Sequence, residues 1–286
     1  MNTIEDAFDQ RGYVVVDDIF EEGEVAHFVA EIDRAGGGRT GKWTVNDGVV
    51  QNEAFWDLVT HERLLGVVRD LFGGQPMKFC QHNDLQFGSS SFAWHRDSIN
   101  RVYDPQLPDW REDDAPYQLV RCGVYLQPAS SGFTFGVVPG SHKPSGCLDR
   151  ATFDDNEKHL SILASLKSKA GGRDVLQERA EWIRTRPGQV VFFDPRLIHT
   201  GGAFEGRKYS LFVAYGVDNR HFREHYAYYR HMRHDLQYRD IPAGLKTQLL
   251  EKDLYVDELP YVSELPGAFV PHRALALAFR LFNNDG

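Results

Sequence analysis

The chain has 286 residues, of which 42% are hydrophobic and 13% aromatic, enough for a sizeable core. Its formal net charge of −9 disfavours a nucleic-acid footprint, which would be basic and clustered, and a polybasic membrane contact. Cys80, Cys122 and Cys147 form no CxxC pair, so neither a zinc knuckle nor a disulfide framework is indicated, and a reducing, cytoplasmic setting fits.

Residues Met1 to Asp9 carry acids and no apolar signal-peptide core, and no apolar run is long enough to span a bilayer. Gly12 to Val16 reads as a short β-branched strand. Val25, Phe28, Val29 and Ile32 follow at helical spacing and stop at Gly36-Gly37-Gly38. A second helix carries Leu64, Val67, Val68 and Leu71 and stops at Gly73-Gly74. Phe79 to Phe87 reads as a strand. Val120, Cys122, Val124 and Leu126 alternate with Arg121, Gly123, Tyr125 and Gln127, the period of a strand with one buried face. Gln189 to Phe193 is a continuous apolar run, and Tyr209, Leu211, Val213, Tyr215 and Val217 alternate again.

Residues 154–170 read as a helical insertion. From Asn219 onward the chain turns helical, with an apolar stripe of Leu245, Leu249, Leu250 and Leu254 that is expected to pack on the strands. No linker separates this tail, so residues 1–286 are taken as a single domain, mainly β with flanking helices. Short strands with Gly/Pro punctuation predict a sandwich or jelly roll. Nothing in the sequence fixes an oligomeric state.

His95 and Asp97 stand at i and i+2 in Trp94-His95-Arg96-Asp97. On an extended segment both point to one face and can reach one metal. His199 lies just past the apolar strand. Two histidines and one carboxylate with open positions form the facial triad of non-haem iron(II) oxygenases; zinc would rather close a four-coordinate site. Arg207, eight residues after His199, heads the next strand, where a guanidinium can grip a remote carboxylate such as the distal end of 2-oxoglutarate.

On these residues the chain resembles the phytanoyl-CoA dioxygenase family of iron(II)/2-oxoglutarate oxygenases. Gly12 to Asp17 looks like the family's opening, and His95-Arg96-Asp97 like its first ligand motif. Gly132 to Lys143, with Pro139-Gly140-Ser141-His142-Lys143, looks like its strand and turn. His199 and Arg207 fall where the family has its distal ligand and co-substrate arginine. The resemblance spans roughly residues 10–217. It implies a double-stranded β-helix, a cupin-like jelly roll. The chemistry it implies couples oxidative decarboxylation of 2-oxoglutarate by dioxygen to oxidation of a small molecule, usually hydroxylation. Asp97 argues against halogenation, since halogenating relatives replace this carboxylate with a small residue. The family's small hydroxyl residue two positions after the distal histidine is Gly201 here, which leaves Thr200, Ser210 or Tyr209 to supply a hydroxyl to the co-substrate.

Further candidates surround these residues. Gln86 and Asn83, on the strand before the first ligands, are polar residues that could meet co-substrate or substrate, or could be satisfied amides of the sheet. Arg121 is set to meet an acid in the pocket or to form a surface ion pair. The segment Ser98 to Tyr117, with Arg101, Tyr103, Trp110 and Arg111, has the length of a lid or binding segment. His142 reads as a structural turn residue. Two other outcomes stay open: the same cofactors with desaturation, cyclisation or epimerisation, and a non-catalytic jelly-roll module that binds a ligand. The latter would have no need to keep the triad.

Overall fold

The computed structural model describes residues 3–39, 41–88, 94–146, 175–202 and 207–270. The insertion expected near residues 154–170 lies outside them. In chain order the strands are β1 (Tyr13–Val16), β2 (Trp43–Asn46), β3 (Met77–Phe87), β4 (Leu119–Tyr125), β5 (Thr134–Val137), β6 (Glu181–Arg184), β7 (Val190–Phe193), β8 (His199–Gly201) and β9 (Tyr209–Val217). They form a six-stranded antiparallel sheet, β1-β7-β4-β9-β3-β2, and a three-stranded one, β6-β5-β8.

Alternation decides what each face of the large sheet meets. Val120, Cys122 and Val124 of β4, Leu211, Val213 and Tyr215 of β9, and Leu85 and Phe87 of β3 share one face. Helices Glu22–Gly36, Glu62–Leu71 and Ala243–Glu251 cover it with Phe28, Ile32, Leu64, Val68, Leu245 and Leu249. Each such aliphatic or aromatic side chain removed from water contributes about 1.5–3 kcal/mol, so this layer dominates the apolar stabilisation. The first helix, Ile4–Arg11, is nucleated by a capping box. The Asp6 amide donates to Thr3 Oγ1 at 3.0 Å, and the Thr3 amide donates back to Asp6 at 2.9 Å. Gly12, at φ 79°, ends it in the left-handed conformation and lets β1 start at once.

The opposite face of the large sheet meets the small sheet through Tyr13, Tyr125, Val191, Phe193 and Phe212 on one side and Phe135 and Val137 on the other. The expectation of a closed double-stranded β-helix is corrected here. The two sheets are open, with β1 and β2 at the edges of one and β6 and β8 at the edges of the other. Helices also form a full layer, so the fold is mixed α/β with two open sheets and not a closed jelly-roll barrel. Period-2 patterning reports that a strand has a buried face; it carries no information on whether the last strand pairs with the first. Among the described residues no helix is long and apolar enough to cross a membrane.

Candidate active site

His95 and His199 are tied together through their backbones. Each amide donates to the other's carbonyl at 3.0 Å, an isolated antiparallel bridge beside β8. The Asp97 amide donates to Pro195 O at 2.8 Å, so both members of the His95-Arg96-Asp97 motif are fixed to the segment that carries His199. Asp194 shapes that segment. Its carboxylate accepts from the Arg196 amide at 2.7 Å and pairs with the Arg196 guanidinium at 2.9 Å.

The result is a compact donor set. His95 Nε2 lies 3.6 Å from Asp97 Oδ1, and His199 Nε2 lies 3.7 Å from Asp97 Oδ2. One ligand atom from each of the three residues falls within 4.8 Å of the others, the one such metal-holding group found among the described residues. His199 Nδ1 sits 2.9 Å from Leu197 O. That carbonyl can only accept, so Nδ1 carries the proton and Nε2 presents its lone pair to the metal position. Burial pushes the His199 imidazole down to about 3, helped by His95 and opposed by Asp97, which keeps it neutral and competent as a ligand.

Arg121 supports the carboxylate. It projects from β4 on the face opposite Val120 and Cys122, and it is buried. Its Nε lies 3.2 Å from Asp97 Oδ2, and its Nη2 donates to Asp84 at 2.8 Å. A further bond runs to the His82 carbonyl at 2.6 Å. Burial alone would raise the Asp97 pKa, but the Arg121 guanidinium outweighs it and holds the carboxyl well below its usual range. Beside this pair His82 stacks on Tyr229 with ring centroids 3.5 Å apart, and its Nδ1 lies 3.0 Å from His225 Nε2. Burial and then Arg121 depress both imidazoles, so neither adds charge. Tyr229 closes the arrangement by donating to Asp97 O at 2.9 Å.

The three ligands open into a cavity that His82, Asp84, Gln86, Arg101, Arg121, Lys208, Phe212, Tyr229 and Arg233 also line. Lys208 is buried. Its ammonium donates to Gln86 Oε1 at 2.9 Å and stands 5.2–5.7 Å from the ring centroids of Tyr125, Phe133 and Phe212. Burial pushes its pKa down to about 8, with Asp84 pulling the other way.

Residues 8–209 match the family described as phytanoyl-CoA dioxygenase (PhyH). The chain belongs to that family. Ectoine dioxygenase of Stutzerimonas stutzeri (strain A1501) is 28% identical over 243 residues, covering 74% of this chain and 76% of the relative. Among solved structures, HygX from Streptomyces hygroscopicus with nickel and 2-oxoglutarate bound is 23% identical. Its TM-score is 0.54, over 74% of this chain and 85% of that one. The epimerase SnoN, in complex with Fe3+, alpha ketoglutarate and nogalamycin RO, is 19% identical with a TM-score of 0.50, over 74% and 82%. With the family and the two-histidine, one-carboxylate group together, this phytanoyl-CoA dioxygenase homologue is a metal-dependent enzyme of the iron/2-oxoglutarate class.

Several expected residues meet in this homologue's cavity, and others do not. Gln86, Arg101 and Arg121 line it with the three ligands. Arg207 does not: it is exposed, its guanidinium 5.9 Å from the Phe87 ring, on the face of β9 that the helices cover. Its neighbour Lys208 has the opposite parity and points in. Asn83 also turns away, where its Oδ1 accepts from the Val49 and Val50 amides at 3.1 and 3.2 Å and its Nδ2 donates to Asp47 at 2.9 Å. Thr200 is buried, its hydroxyl donating to Gly201 O at 3.3 Å, and does not line the cavity. Ser210 is buried, its hydroxyl has no partner among the described residues, and in register with Gln86 and Tyr125 it shares the cavity face of β9.

Trp110 is a packing residue. Its Nε1 donates to Val102 O at 3.0 Å, and Tyr103 sits edge-on to its ring at 5.0 Å. The Ser98–Tyr117 segment is pinned by Asn100 and Asp109, which exchange backbone-to-side-chain bonds of 2.8 and 3.1 Å, and by Glu112, which pairs with Arg196 at 2.6 Å. From this segment it is Arg101 that reaches the cavity. Lys208, Asp84, His82 and Tyr229 are cavity residues that the motifs do not single out. For Lys208 and Asp84 a signal exists, since each is a polar residue at a position whose neighbours two away face inward.

Proposed function

We propose that the protein is an iron(II)- and 2-oxoglutarate-dependent oxygenase that oxidises a C–H bond of a small molecule. The observation that carries this reading is the meeting, in one cavity, of the His95/Asp97/His199 group with the buried Lys208 ammonium. Among the described residues that ammonium has no carboxylate within ion-pair distance. A buried cation without a counterion is costly unless an anion arrives to meet it. His95, Asp97 and His199 would hold iron by one face and leave positions for a chelating keto-acid and dioxygen. When bound, the metal supplies the redox chemistry; 2-oxoglutarate supplies two electrons and leaves as succinate and carbon dioxide. Lys208, steadied by Gln86, would take the distal carboxylate of the co-substrate, with the Ser210 hydroxyl on the same face. Arg121 would hold Asp97 ionised and aimed.

The reading extends to outcomes other than hydroxylation. Once a C–H bond is broken, the substrate's pose decides between hydroxyl transfer, epimerisation, ring closure and desaturation. The likeness in fold to the epimerase SnoN supports this wider class over hydroxylation alone. The test is anaerobic addition of iron(II) and then 2-oxoglutarate, followed by exposure to oxygen. A visible charge-transfer band and then succinate release are expected. A protein that binds iron(II) but gives neither band nor succinate would refute the assignment.

A further inference from the structure

Four cations and two carboxylates line the cavity: Arg101, Arg121, Arg233 and Lys208 against Asp84 and Asp97. Most of this charge cancels locally. Arg121 is shared between the two carboxylates at 2.8 and 3.2 Å. Arg233 is held bidentately by Asp235, at 2.9 Å through Nε and 2.8 Å through Nη2. The inference that follows rests on the proposed iron and 2-oxoglutarate. Their charges, two positive and two negative, cancel. Arg101, Arg121 and Lys208 against Asp84 and Asp97 then sum to one positive charge, and with Arg121 on the two carboxylates and Lys208 on the co-substrate, Arg101 is the cation left over.

The chain holds Arg101 in a defined way. Its guanidinium lies 4.0 Å from the centroid of the Phe269 ring. Phe269 is itself docked, its amide donating to Ile99 O at 3.1 Å and its carbonyl accepting from the Tyr228 hydroxyl. The same tail is joined to the Arg101 segment by Asn100 Nδ2, which donates to Pro266 O at 2.8 Å. Gly267, at φ 63°, lies so close to Leu107 and Asn100 that an added Cβ would come within 2.7 Å of Leu107. The Arg101 carbonyl is taken by Arg96 at 2.8 Å. Its guanidinium, by contrast, has no hydrogen-bonded or ion-paired partner among the described residues, and its Nε is shielded from solvent. The guanidinium carbon therefore sits over the Phe269 ring, while the N–H fork has no partner among the described residues. That fork matches a carboxylate in two parallel bonds, and one surplus charge matches one carboxylate better than a phosphate dianion.

We propose that the primary substrate is a small molecule bearing a single carboxylate, which Arg101 grips from the Phe269 platform and so orients over the metal.

The experiment uses the full-length protein loaded anaerobically with iron(II) and saturating 2-oxoglutarate. Loading is confirmed by the charge-transfer band before any probe is added. Benzoate, benzamide, phenyl phosphate and benzylammonium, alike in shape and different in charge, are then titrated calorimetrically. Benzoate should bind about tenfold or more tighter than benzamide, the worth of hydrogen bonds to a charged group. Arg101→Gln should erase that preference, and Arg101→Lys should restore part of it. In both variants the band should keep its 2-oxoglutarate midpoint. Phenyl phosphate binding tighter than benzoate overturns the carboxylate assignment. So does the lack of any benzoate preference, including no binding by any probe, or a preference that survives in Arg101→Gln. Failure to form the band at all sinks the co-substrate reading and this inference together; a normal band without the preference sinks this inference alone.

Discussion

Replacing Lys208 tests the site where its two parts meet. The ammonium is buried, touches one polar atom of Gln86 and is ringed by three aromatic side chains. Its pKa falls from 10.5 to about 8, and that difference corresponds to about 3 kcal/mol of unfavourable desolvation in the ligand-free protein. An arriving carboxylate recovers part of this cost. Removing one member of such a buried pair costs about 2–5 kcal/mol, so Lys208→Met should weaken 2-oxoglutarate binding by about 30-fold to several thousand-fold. Iron(II) binding should survive. The assay is anaerobic titration of the iron(II) protein with 2-oxoglutarate. Its pH dependence is a second readout. The protonated ammonium is the binding form and titrates near 8 in the free protein, so affinity should be level below pH 8. Above it, affinity should fall by about tenfold per pH unit until the pKa of the complex is reached. Lys208→Arg should flatten that slope. In the ligand-free protein the folded pKa lies below the unfolded one, so stability should rise as pH goes from about 8 towards 10.5. Wild-type affinity in Lys208→Met, with the loss appearing in Arg207→Ala instead, would refute the reasoning.

The remaining predictions concern the residues around the metal position and one buried acid. His199→Ala and Asp97→Ala should each abolish tight iron(II) binding in equilibrium dialysis, and retention of stoichiometric iron in either would remove that residue from the donor set. Arg121→Met leaves Asp84 and Asp97 buried without their shared counterion, so the metal-free protein should lose about 3–5 kcal/mol in urea unfolding. A loss below about 1 kcal/mol, the range of an exposed pair, would contradict the burial argument. Burial pushes the Asp109 carboxyl up to about 7, opposed by the Asn100 amide, so the folded state binds a proton more tightly than the unfolded chain. Stability should then fall as pH rises from about 4 to about 7 and level off above; Asp109→Asn should lack that slope and gain on the wild type in Tm between pH 5 and pH 8.

How much of this is legible in the sequence depends on the range over which each signal acts. His95 and Asp97 share a face because they are two residues apart on extended chain, and His199 follows an apolar strand; both patterns are local. Strands β1, β3, β4, β7 and β9 are legible because four or more of their residues alternate or run apolar. Strand β8 has three residues, and β2 and β6, four each, lack the unbroken apolar run that marks β1 and β7; β5 is legible only through the family resemblance of Gly132 to Lys143. Sheet closure is not legible at all, and the jelly-roll expectation fails on it, because pairing between distant strands leaves no mark in the period of either one.

The proposed co-substrate grip is a different case, since the cavity takes in Lys208 and not the expected Arg207. Tyr209, Leu211, Val213 and Tyr215 alternate as one face, and Arg207 belongs to that set by parity. Those apolar residues pack against the helices, and Arg207, two residues before β9, stays on their side, its guanidinium 5.9 Å from the Phe87 ring. Lys208 shares the parity of Ser210, Phe212 and Ala214, and it is the residue the cavity receives. The same argument separates Asn83 from Gln86. Three residues apart on β3, they lie on opposite faces, so parity alone forbids both from reaching one cavity. The irregularity in β3 between Cys80 and Asp84 does not rescue Asn83. Its two extra residues leave the parity of His82, Asp84 and Gln86 unchanged, and all three line the cavity. For a site built between two sheets, choosing a charged residue at a strand's end therefore requires first deciding which alternating set is the core.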